Sequence, residues 1–79
     1  MITVEVRLSD ALRQQLDLQG SDPLHVVIET GATLPDLYQA LNLRPEQVAF
    51  CTVNNRYPAE DYHLREGDRL RLVAFAAGG

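Results

Sequence analysis

Lysine is missing from this chain, and all seven basic side chains are arginine. No side chain therefore offers an amine for an isopeptide bond, which leaves only the amino terminus. Cysteine occurs once, at Cys51. A lone cysteine excludes an internal disulfide and is not a metal site. It falls in the apolar run 48–53, where a free thiol is expected to act as a small buried hydrophobe. A reactive thiolate needs an electropositive, partly exposed setting instead. No apolar run approaches membrane length, and no signal peptide opens the chain, since strand-like alternation begins at Ile2. A cytoplasmic location is the expectation. A basic stripe is also missing. Eleven acids outnumber the seven arginines, giving a net charge of −4 and a pI near 4.9, which argues against direct nucleic-acid binding.

Catalytic signatures are equally scarce. Gly20, Gly31 and Gly67 stand alone, so no glycine-rich loop can cradle a phosphate. No serine sits on a nucleophile turn with histidine and acid partners. His25 and His63 lie far apart with no cysteine or paired acid at ligand spacing, so no metal site is expected. Glu60-Asp61 reads as a solvated turn. With 79 residues the chain makes one domain, whose core is thin and has no room for a deep pocket. That favours a carrier, adaptor or subunit over a self-contained enzyme.

What is present is strand-rich. Ile2, Val4, Val6 and Leu8 alternate with Thr3, Glu5 and Arg7, the pattern of a half-buried strand. Ser9 can cap a short helix to Leu16, with Leu12 and Leu16 on one side. Residues 20–23 break the chain. A second strand is expected over 24–29. Thr33, Pro35 and Asp36 read as a helix start. Leu34, Leu37, Tyr38 and Leu41 then give one apolar stripe that ends near Asn42. A third strand covers 48–53, and Asn54-Asn55 marks a turn. Arg56-Tyr57-Pro58 can form only a short or edge strand, because Pro58 lacks a ladder donor. Glu66-Gly67-Asp68 turns the chain into a last strand over 69–75. The order β-α-β-α-β-β-β predicts an α+β roll, a mixed sheet with a helix packed across one face.

The last strand carries a second signal. Leu70 and Leu72 alternate with Arg69 and Arg71, so the leucines point inward. Continued alternation puts Val73 and Phe75 on the arginine face, as an exposed apolar patch of the kind that marks partner sites. A bulge near the strand end would instead return them to the core. The small residues Ala76, Ala77, Gly78 and Gly79 follow. A Gly-Gly end lacks Cβ atoms and can enter a channel too narrow for other residues.

These residues resemble the ubiquitin-like sulfur carrier proteins. The likeness rests on Val53-Asn54 ending a strand, Leu64 before a turn, Gly67-Asp68 within it, and the run from Arg69 to Gly79. The compact segment 54–67 and Leu12-Arg13 in an extra helix are most similar to the small subunit of molybdopterin synthase. Ala74-Phe75 departs from it, standing where those subunits often carry two prolines. The resemblance implies a β-grasp domain over 1–75 with a short extra helix after the first strand, and a flexible tail over 76–79. It implies that an E1-like enzyme uses ATP to adenylate the Gly79 carboxylate, and that a sulfur donor then makes a thiocarboxylate. The carrier itself would bind no cofactor. Its partners would be the activating enzyme, the sulfur donor enzyme and the large subunit of molybdopterin synthase, with no nucleic acid and no membrane. Ala76, Ala77 and Gly78 would thread the partner's active site, with Tyr57, Val73 and Phe75 at the interface. Thiamine biosynthesis, tRNA thiolation and protein modification through Gly79 are the alternatives.

Overall fold

The computed structural model describes residues 1–16 and 23–74. Four strands, β1 (Ile2–Leu8), β2 (Leu24–Ile28), β3 (Val48–Val53) and β4 (Arg69–Ala74), form one sheet in the order β2-β1-β4-β3. The first and last strands pair in parallel at the centre, and the flanking pairs are antiparallel. Two helices, α1 (Asp10–Leu16) and α2 (Leu34–Ala40), and a single 3-10 turn (Pro45–Gln47) complete the order. The expected mixed sheet with a short helix after the first strand is present.

Alternation decides what the sheet buries. Val4, Val6, Leu70 and Leu72 face inward and are almost fully buried, together with Leu12 of α1 and Leu37 of α2. Thr33 starts α2: its backbone N–H and its hydroxyl both donate to the Asp36 carboxylate, at 2.9 and 3.0 Å. These bonds hold the Asp36 carboxyl below its ordinary pKa, the backbone one contributing most. Ser9 lies between β1 and α1. Its Oγ accepts from the Leu12 N–H at 3.4 Å and from the Ala74 N–H at 3.2 Å, and its own N–H donates to the Leu72 carbonyl at 3.0 Å. The helix cap therefore also anchors the end of β4. The expected companion of Leu12, the Leu16 side chain, and most of the predicted break at 20–23 lie outside the described residues.

One expectation needs correction. The fourth strand is reduced to one isolated bridge between Val53 and Arg56. Asn54 and Asn55 both have positive φ, 52° and 68°, the geometry of a tight two-residue hairpin turn. Beyond Arg56 the chain leaves the ladder, consistent with Pro58 having no N–H to give. The expected alternation of β4 holds as far as Ala74, and the one register shift of the described strands interrupts β3 between Val48 and Phe50.

Candidate functional site: the outer sheet face and the root of the tail

The helices cover one face of the sheet, and the other carries the candidate site. Val73 stays on the arginine face, half-buried, as unbroken alternation requires. Its register partner on β3 is Phe50, 42% exposed. Tyr57, 76% exposed, meets Phe50 edge-on, with ring centroids 6.3 Å apart and planes at 64°. Such pairs are favoured geometries for aromatic rings. Phe50, Val73 and Arg71 border a shallow depression of about 420 Å³, with Thr52 and Asn55 on its rim.

Phe50 was not singled out in the sequence because 48–53 reads there as a continuous apolar run. The usable signal was alternation: with Cys51 and Val53 inward, Phe50 must point out. Phe75, Ala76, Ala77, Gly78 and Gly79 lie outside the described residues. The chain reaches them from Ala74, beside Val73.

The residues that carry the family resemblance form a brace at the root of β4. Asp68, 5% exposed, accepts three hydrogen bonds. They come from the Tyr62 hydroxyl at 2.6 Å, the Arg65 N–H at 2.9 Å and the Asn54 side-chain amide at 3.0 Å. Asn54 closes the loop by accepting from the Arg69 N–H at 3.0 Å, while its own N–H donates to the Arg69 carbonyl at 2.7 Å. The bond to Asp68 also raises the Tyr62 pKa, since it favours the neutral phenol. Gly67 takes φ of +82°, which glycine adopts without strain, and its N–H donates to the Thr3 carbonyl at 2.9 Å. Leu64 is buried beneath the turn. The brace fixes the direction in which β4 leaves the turn.

Cys51 is buried, and burial pushes its thiol up to about 11, partly offset by a hydrogen bond with Tyr38. It is a core residue and a thiol at neutral pH, as the sequence suggested. Burial likewise raises the Tyr38 pKa. His63 is exposed with Nδ1 2.7 Å from the Gly31 carbonyl, so that nitrogen is the donor. Glu60 and Asp61 are exposed. Among the described residues no cluster of histidine, cysteine or acid could hold a metal, and no helix is long and apolar enough to cross a membrane. This geometry offers a shallow apolar contact surface on the outer face.

Solved structures share this architecture. A putative molybdopterin converting factor subunit 1 from Pyrococcus furiosus superposes with a TM-score of 0.73 at 23% identity, over 94% of this chain and 98% of that one. The small archaeal modifier protein 1 of Haloferax volcanii does so with a TM-score of 0.72 at 19% identity, over 94% and 98%. A second structure of that modifier gives 0.69 at 21% identity, over 98% and 99%. These likenesses establish the ubiquitin-like β-grasp fold. No curated protein sequence matches the chain. The ThiS family model matches residues 6–79, from the middle of β1 through the final glycine, and the chain therefore belongs to the ThiS family.

Proposed function

We propose that this protein is a sulfur carrier that works through the carboxylate of Gly79, as the small subunit of a molybdopterin synthase in the cytoplasm. The observation that carries the reading is the family match running to Gly79, joined to an apolar face beside the root of the tail. A carboxylate is a poor electrophile. An E1-like enzyme would join it to AMP from ATP, releasing pyrophosphate, and the resulting mixed anhydride has a good leaving group. A persulfide on a donor enzyme would then attack the carbonyl and expel AMP, and a thiol would reduce the resulting acyl disulfide, releasing the thiocarboxylate and leaving the two thiols as a disulfide. Catalytic acids and bases belong to the partners. This chain contributes the reactive terminus, a thin tail of Ala76, Ala77 and Gly78, and the docking residues Phe50, Tyr57, Val73 and Phe75.

The test is the mass of the protein from its own host. One oxygen-to-sulfur exchange mapped to the C-terminal peptide is expected, and deletion of Gly79 should abolish all sulfur transfer. An unmodified terminus after incubation with activating enzyme, ATP and sulfur source would sink the reading. A second reading, a protein modifier joined through Gly79, is favoured by the likeness to the archaeal modifier structures. It predicts Gly-Gly remnants on lysines of other proteins. A carrier for thiamine or tRNA thiolation differs in which large partner co-purifies.

A further inference from the structure

The outer face holds a charge arrangement that the chemistry of the tail does not use. Arg7 of β1 and Arg71 of β4 are register partners on the central parallel pair, both exposed on the same face. Neighbouring strands lie only about 4.8 Å apart, and like charges placed opposite each other destabilise a sheet. Arg69 lies on the same face of β4 and sits 3.7 Å from Glu5. The other oxygen of Glu5 lies 3.7 Å from His25. Among the described residues, neither Arg7 nor Arg71 has a carboxylate within ion-pair distance. All three arginines line a polar depression of about 430 Å³ that includes Ser9 and Thr52. A chain with four more acids than arginines thus gathers three of its seven arginines on one face. Arg71 also borders the apolar depression at Phe50 and Val73, so the two are continuous.

We propose that this face docks an acidic surface of the protein partner that receives the tail. The partner's carboxylates sit over Arg7 and Arg71, and one of its apolar side chains fills the depression at Phe50 and Val73. The partner's charge relieves a repulsion that the free protein carries. A nucleic acid is the poorer occupant, because the arginines adjoin Glu5 on a chain of net charge −4. The identity of the partner rests on the carrier reading, whereas its charge rests on this face alone.

The probe is the host's E1-like adenylating enzyme, with binding measured separately from adenylation at low and high salt. Wild-type association should slow about tenfold or more with salt, as charge-steered encounters do. Arg7→Glu/Arg71→Glu should bind about tenfold more weakly at low salt and lose most of the salt dependence. Arg44→Glu, a control outside the sheet, should stay within about twofold of wild type. If the reversal variant fails to fold, Arg7→Gln/Arg71→Gln replaces it. That variant should also unfold at or above the wild-type temperature, because it removes a repulsion. Unchanged binding by the arginine variants would overturn the proposal, as would no binding by wild type at either salt. It would also be overturned if a single-stranded RNA, but not the enzyme, needed the two arginines. Arginine-dependent binding without adenylation would instead overturn the carrier reading and leave the acidic docking face standing.

Discussion

Asp68 shows how one side chain can organise a turn. Its carboxylate is buried and meets three donors, from Tyr62, Arg65 and Asn54. Asp68→Ala leaves all three without their acceptor, and should cost about 2–4 kcal/mol in denaturant unfolding. Asp68→Asn keeps the shape but supplies a weaker acceptor, and should cost less. Equal stability of Asp68→Ala and wild type would mean the brace is ornamental. The sequence marked Asn54, Gly67 and Asp68 as turn residues, and Leu64 only by resemblance. That Asn54 and Asp68, fourteen positions apart, would bond each other was not legible there, because periodicity says nothing of contacts between two turns.

At the level of elements, Ser9 links α1 to β4. Its Oγ accepts from the amides of both Leu12 and Ala74. Ser9→Ala should therefore cost about 1–2 kcal/mol, and should speed amide hydrogen exchange at Ala74 as well as in the first turn of α1. A change confined to α1 would show that Ser9 is only a helix cap. The sequence made Ser9 legible as a cap, since residue type and spacing are local. Its second bond spans 65 positions and depends on the parallel β1–β4 pairing. The same limit explains Phe50. Alternation in β4 was readable because arginines mark its outer face. In β3 an apolar residue stands on both faces and a bulge precedes Phe50, so the alternation with Cys51 and Val53 becomes usable only once those two are known to face inward. The short fourth strand was overread for a related reason. The hairpin turn at Asn54-Asn55 was visible, but the length of ladder after it was not.

For the whole molecule, three groups shift the same way. Cys51, Tyr38 and Tyr62 all hold their protons more tightly when folded, the first two through burial and the last through Asp68. A folded pKa above the unfolded one stabilises fully below the unfolded value and loses that contribution as pH rises through the folded one. Stability should thus fall between pH 9.0, where the unfolded Cys51 thiol is half ionised, and about 11, where the folded thiol reaches the same point. For Cys51 alone the loss is about 2–3 kcal/mol. Urea unfolding from neutral to strongly alkaline pH checks it. Cys51→Ala should flatten the first part of the decline and leave the tyrosine part. A profile that is flat or rises with pH would contradict the buried placement of these groups.

The pairing of the central strands has a mechanical side. β1 and β4 are the first and last strands, adjacent and running the same way. Tension applied between Met1 and Ala74 draws them in opposite directions along their length. The bonds between them are loaded together, in shear, and cannot be unzipped one at a time. Flanking strands on both sides share the load. The fold is thus stiff along the axis of its two central strands, and a pull on the end of β4 meets the whole β1–β4 ladder at once.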